Sequence, residues 1–197
     1  MKPQIEDKKY DRLKRVMKIA LRYPGNFEVT GMKNINQPSI IAATHSKFSD
    51  SFVFGTAISS EDTRVAFFDG STKCTWALPK IARIIMVGRS REEYYADAID
   101  YLERGYNTCM YVQGKIEEQG NISRVRKGVF HFQDYVKNMT GNHYPIIPAT
   151  IERKWNYSFP WGRKAIINIG EEFISTRSSA EKCSELKKTL ENMFTIK

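Results

Sequence analysis

The stretch IIAATHSKFSDSFVFGTAI, residues 40–58, decides the fold. It opens on an apolar run, Ser39–Thr44 when its flanking residue is included, that reads as a strand, and it continues over about 49–59 in a helical pattern. His45 and Asp50 lie between the two, five positions apart. On one continuous helix that spacing rotates the second side chain by roughly 140° from the first, so the pair would not share a face. They meet if His45 closes the strand and Asp50 sits in the first turn of the helix. There the carboxylate is also favoured by the helix dipole. The segment therefore predicts a strand, a turn carrying an imidazole, and a helix that begins with its carboxylate partner.

The same alternation continues outward. Further strands are predicted at Arg64–Phe68, Ile84–Val87, Thr108–Val112, Pro145–Ile151 and Ala165–Ile169, and helices at about 91–104, 126–139 and 179–194. Ser90 with Glu93 and Ser178 with Glu181 have the spacing of capping boxes, and Gly105 and Gly141 stand where helix C-caps belong. Short strands alternating with helices predict an α/β fold, a mostly parallel central sheet flanked by helices. No internal repeat or linker interrupts residues 26–197, which read as a single domain. Residues 1–25 differ: they hold eight Lys or Arg against three acidic residues. Within them KKYDRLKRVMKIALRY, residues 8–23, reads as an amphipathic helix with Tyr10, Leu13, Met17 and Ala20 on one side, ended by Pro24-Gly25. A basic amphipathic helix suits an anionic membrane surface, and equally a stripe packed on the domain.

Composition narrows the function. At 197 residues, 41% hydrophobic and 12% aromatic, the chain can bury a substantial core. Cys74, Cys109 and Cys183 are scattered and odd in number, which suits a reducing compartment better than a disulfide framework. Three histidines, His45, His131 and His143, and no cysteine pair at ligand spacing predict no metal site. A net charge of +9 asks for an anionic partner. Neither an RNP-type strand nor a finger spacing points to nucleic acid. No apolar run reaches the ~18 residues of a spanning helix, and residues 1–25 lack the apolar core of a signal peptide.

Four blocks now connect. FEVTGMKNINQPSIIAATHSKFSD (27–50) resembles the opening of the glycerolipid acyltransferases, the 1-acyl-glycerol-3-phosphate acyltransferases and their relatives: a Gly in a short hairpin, a strand, then N-H-x-S-x-x-D. Thr44 stands where Asn is usual, and Ser46 one place before the family's Ser. IIMVGRS (84–90) is similar to the second block. YVQGKIEEQGNISRVRKG (111–128) aligns with P-E-G-T-R-S and its following K-K-G, with Gln113, Lys115 and Ile116 at the Glu, Thr and Arg positions. YPIIPATI (144–151) matches the fourth block, with Pro148 inside a strand. The resemblance spans residues 28–172.

It implies an enzyme that moves a fatty acyl group from acyl-CoA or acyl-ACP to the hydroxyl of a lysophospholipid such as 1-acyl-glycerol-3-phosphate. The thioester is a donor substrate, and no cofactor is required. The implied setting is the cytoplasmic face of a membrane, with peripheral attachment. His45 and Asp50 match the catalytic pair. The chemistry agrees: an imidazole of unperturbed pKa about 6.5 suits a general base near neutral pH, and a carboxylate on its other nitrogen fixes the tautomer. Without the other blocks, the pair would read as a buried polar link between strand and helix. No nucleophile elbow G-x-S-x-G is present, and Ser46 is predicted to cap the helix start.

For substrate binding the resemblance implies Arg89, Gln113, Gly114, Lys115, Arg126 and Lys127. Arg89 ends a strand and would hold the acceptor phosphate by two parallel hydrogen bonds; its plain alternative is a solvated charge. Gly114 would let backbone N–H groups approach an anion, or simply make a turn. Lys115 would supply charge in place of the missing Arg, as Ile116 cannot, while Gln113 loses any salt bridge made by a Glu. Arg124, Arg126 and Lys127 would bind phosphates of the donor or of lipid, or lie solvated. Phe52, Phe54, Phe67, Phe68 and Trp76 are expected mainly in the core, with an acyl channel as the alternative. The altered third block leaves room for another hydroxyl or amine acceptor. From outside the enzymes, the alternatives are a catalytically silent lipid-binding protein and a basic nucleic-acid-binding domain, for which net charge is the only argument.

Overall fold

The computed structural model describes residues 27–47, 50–58, 63–69, 84–87, 90–155 and 163–194. The predicted N-terminal helix, Arg89 and Trp76 lie outside them. Among the described residues seven strands form one sheet: β1 (Phe27–Thr30), β2 (Ile40–Ala43), β3 (Val65–Asp69), β4 (Ile84–Met86), β5 (Asn107–Tyr111), β6 (Ile146–Trp155) and β7 (Arg163–Ile169). Their spatial order is β1-β7-β6-β2-β5-β3-β4. Every neighbouring pair is parallel except β6 and β7. Four described α-helices complete the fold: α1 (Asp50–Ile58), α2 (Arg91–Glu103), α3 (Gly128–Thr140) and α4 (Ser179–Met193). The predicted α/β class, helix positions and mostly parallel sheet are thus observed.

All four residues of β2 are buried, because helices cover both faces of the sheet. Ile40 and Ala42 join a core made with Tyr95, Ala98 and Leu102 of α2, Val129, Phe132 and Val136 of α3, and Leu186 and Leu190 of α4. Ile41 and Ala43 face the other way, onto Val53, Phe54 and Ile58 of α1. Helical spacing of three, four and seven residues puts these apolar side chains on one face of α2 and α3, as the spacing of four does on α4. Each buried Ile or Phe contributes about 1.5–3 kcal/mol relative to exposure. Phe54 and Phe67 meet edge-to-face within the α1 layer, as core rather than channel. Gly141 ends α3 in the left-handed conformation, and Glu181 accepts from the Ser178 N–H and hydroxyl at the start of α4. At α2, the Ser90 hydroxyl accepts from the Glu93 N–H.

Two local expectations need correction. Residues 27–39 form no hairpin with β2: β1 instead pairs in parallel with β7, Phe27 opposite Ala165. Gly31 turns the chain with φ +74°, and a Cβ there would lie 1.9 Å from the Ile169 carbonyl oxygen. Close approach to β7, not a hairpin, explains this glycine. The fourth-block strand also runs four residues beyond its predicted end at Ile151, through Trp155. Glu152, Arg153 and Lys154 end the apolar pattern, but their backbones continue the antiparallel ladder with β7. Pairing, unlike burial, does not depend on apolar side chains.

Candidate active site

β2 and β5 are adjacent and parallel, and the chain leaves them toward opposite faces of the sheet. After β2 it enters α1 on one side; after β5 it passes through residues 112–127 into α3 on the other. Such a divergence opens a crevice at the carboxyl ends of the strands, where α/β sheets bind ligands. His45 and the third sequence block occupy that crevice.

Thr44 donates its N–H to Ala149, and its hydroxyl accepts the N–H of Ile151. This residue therefore prolongs the β2–β6 pairing through a side chain before the chain turns. Asp50 is the first residue of α1 and is fully buried. Its Oδ2 accepts the N–H groups of Ser46 and Lys47, each at 2.7 Å. The same oxygen lies 3.3 Å from His45 Nδ1. That contact is poorly aligned for a hydrogen bond, and Nδ1 has no other partner among the described residues. The Ser46 hydroxyl donates to Oδ2 at 3.4 Å. Ser46 thus contacts the carboxylate, and Asp50 ties down the turn that precedes α1.

The second carboxylate oxygen, Oδ1, receives Nη2 of Arg153 at 2.7 Å. Burial alone would raise the Asp50 pKa, but His45, Arg153 and the two N–H groups outweigh it and hold the carboxyl below its ordinary range. The imidazole is further fixed by Tyr111, whose ring stacks on it at 4.0 Å between centroids and 18° between planes. The Tyr111 hydroxyl shares a 2.8 Å hydrogen bond with Ser51. Sequence reasoning missed Arg153 and Tyr111. Tyr111 opens the third block but matches none of its motif positions, and Arg153 lies beyond the apolar pattern of the fourth.

Residues 113–123 are bound to the His45 turn. Gln113 Oε1 accepts the His45 N–H at 2.5 Å, and the Glu117 N–H donates to the His45 carbonyl at 3.0 Å. Gln113 Nε2 donates to Glu117 Oε2 at 3.0 Å and to the Asn121 carbonyl at 3.2 Å. The Ser123 N–H and hydroxyl both donate to Glu117, and Lys115 Nζ lies 3.2 Å from it. The Ser123 hydroxyl above all, outweighing the opposing effect of burial, pulls the Glu117 pKa down to about 2. A carboxylate is therefore present in this loop, displaced from position 113 to 117. The Lys115 charge is engaged by it, although the side chain stays more than half exposed.

His45, Gly114, Lys115 and Arg126 line a cavity of about 510 Å³. Its apolar walls include Phe68, Val87, Tyr94, Met110, Ile116 and Val129, so Phe68 belongs to both core and cavity. Ile116 is half exposed there. Arg126 lies across Gly114, where φ is +69° and an added Cβ would meet Arg126 Nε at 2.3 Å. Gln113 is buried behind His45, and Lys127 is exposed ahead of α3; neither is among the lining residues. No group of three or more metal-ligating side chains occurs among the described residues.

The family model for acyltransferases matches residues 26–152, more than half of the chain. This chain belongs to the acyltransferase family. The acyltransferase also resembles a solved structure described as the 1-acyl-sn-glycerophosphate (LPA) acyltransferase PlsC from Thermotoga maritima, with a TM-score of 0.64. Sequence identity is 15%, and the match covers 98% of this chain and 82% of that one. A search of curated proteins finds no match. The family read from the four blocks and the enzyme class it implies are therefore upheld, and His45 and Asp50 fall inside the matched segment.

Proposed function

We propose that this acyltransferase moves a fatty acyl group from acyl-CoA or acyl-ACP to the hydroxyl of a lysolipid of the 1-acyl-glycerol-3-phosphate type. The observation that carries the proposal is His45, with Asp50 at its Nδ1, beside a largely apolar cavity of about 510 Å³. Asp50 at Nδ1 leaves Nε2 to the acceptor. The acceptor hydroxyl gives its proton to Nε2 as its oxygen bonds to the thioester carbonyl carbon. The tetrahedral oxyanion then collapses, the C–S bond breaks, and the departing thiolate takes the proton from the imidazolium. The products are an ester and a free thiol; no protein nucleophile and no cofactor enter the balance. Arg126 is the cavity-lining cation that has no ion pair among the described residues, and it would meet a phosphate of donor or acceptor, with Arg89 as the second candidate from the sequence. A peripheral site on the cytoplasmic face of a membrane fits the net charge of +9. Among the described residues no helix is long and apolar enough to cross a membrane.

A second reading is favoured by the Lys115–Glu117 pair and the exposed Ile116: a hydroxyl or amine acceptor without a phosphate. One experiment separates the two. Mass spectrometry follows products from acyl-CoA and a panel of phosphorylated and neutral acceptors, using wild type, His45→Ala and Arg126→Ala. The first reading expects phosphorylated acceptors to be used and selectively impaired by Arg126→Ala, by about 10- to 100-fold. The second expects only neutral acceptors to turn over. Either way His45→Ala should lose at least ~10²-fold with its fold retained. Near-normal turnover by that variant would refute the general-base mechanism.

A further inference from the structure

β6 overshoots its parallel partner. β2 ends at Ala43, but β6 runs on to Trp155 beside the turn that carries His45. Gln119 of the third block secures this extension. Its Oε1 accepts the Arg153 N–H at 2.8 Å, and its Nε2 donates to the Arg153 carbonyl at 3.4 Å. The Arg153 side chain, only 15% exposed, is thereby aimed at Asp50 Oδ1. Asp50 thus receives two backbone N–H groups on one oxygen and a guanidinium on the other, and His45 takes the position that remains.

We propose that Arg153 is a positioning residue that orients Asp50 against His45 and offsets part of the carboxylate's charge. The proposal rests on the general-base reading of His45. A bare buried carboxylate beside an imidazole favours the imidazolium, which cannot accept a proton. A guanidinium 2.7 Å from the same carboxylate cancels much of that field while holding its geometry. Among the described residues, the other charged or titratable groups around His45 include Glu117, Tyr111, Lys47 and Arg126. Glu117 of the neighbouring loop is engaged by Lys115, Gln113 and Ser123. Tyr111 of β5 presents its ring, Lys47 of the same turn is exposed, and Arg126 lines the same cavity.

The test is a side-chain NMR titration of His45, resolved from His131 and His143 by comparison with His45→Ala, in wild type and in Arg153→Gln. The pH profile of kcat/KM is measured on the same proteins. In Arg153→Gln the His45 midpoint should rise, and the acid limb of the rate profile should move with it. Asp50→Asn should shift the midpoint the other way. An unchanged or lowered midpoint in folded Arg153→Gln overturns the proposal, because a merely structural arginine would leave the imidazole alone. If Arg153→Gln does not fold, Arg153→Lys decides. It retains the charge but not the planar fork, so kcat should fall about 3- to 10-fold at unchanged KM; wild-type kcat in this variant would overturn the positioning role. Absence of acyl transfer by wild type would instead refute the proposed function, and the titration would still report whether Arg153 governs His45.

Discussion

Gln113 and Glu117 show how two substitutions in one motif make sense only together. The carboxamide at 113 both accepts, from the His45 N–H, and donates, to Glu117. A glutamate at 113 would retain the first bond but turn a carboxylate toward Glu117. Gln113→Glu, although it restores the usual family residue, should therefore destabilise the protein by about 1–3 kcal/mol, measured by urea unfolding. The Gln113→Glu/Glu117→Ser pair should recover much of the loss in a double-mutant cycle. Independent losses would mean that the two positions are uncoupled. The pH dependence follows the same residue. The Glu117 pKa in the folded protein, about 2, lies below its ordinary value of 4.5. Its stabilisation is present in full above the unfolded value and is lost as pH falls from there through about 2. Glu117→Gln should flatten that part of the stability profile, and an unaltered acid limb would assign acid unfolding to other carboxyls.

At the level of elements, α3 joins core and cavity. Phe132 is completely buried and meets both Phe68 and Tyr95. Phe132→Ala should cost about 3–5 kcal/mol, since the rigid sheet behind it cannot collapse into the space. Ile174→Ala, at a site 78% exposed, is a control expected within about 0.5 kcal/mol. Similar losses for both would contradict the packing described for α3. β6 illustrates the opposite dependence, on backbone pairing rather than apolar burial. Its last four residues, Glu152 to Trp155, extend along β7 with little apolar pattern, and one of them reaches Asp50.

On the scale of the whole molecule, β2 is enclosed by β5 and β6 and by helices on both faces. Its amides should exchange only through global opening, at the slowest rates in the protein, whereas β4, at the end of the sheet order, should exchange through smaller openings. Equal rates in hydrogen-exchange mass spectrometry would refute this hierarchy. The enclosure also explains what could be read early. Apolar periodicity in IIAA, in Tyr95, Ala98 and Leu102, and in Val129, Phe132 and Val136 is written in consecutive residues, because burial acts through local spacing. So are the strand–turn–helix around His45 and Asp50 and the order of the four blocks. From these the α/β class, the helices and the candidate dyad followed. The rest depends on contacts between residues distant in sequence. The pairing of β1 with β7 joins positions 138 residues apart, and the Arg153–Asp50 bond spans 103. Neither leaves a periodic trace, because backbone ladders tolerate most side chains and an ion pair needs only two. Sequence by itself determined the layers of this protein and the candidate pair, His45 and Asp50; only the tertiary structure decided which charges reach that pair, because Coulombic contacts depend on distance in space rather than along the chain.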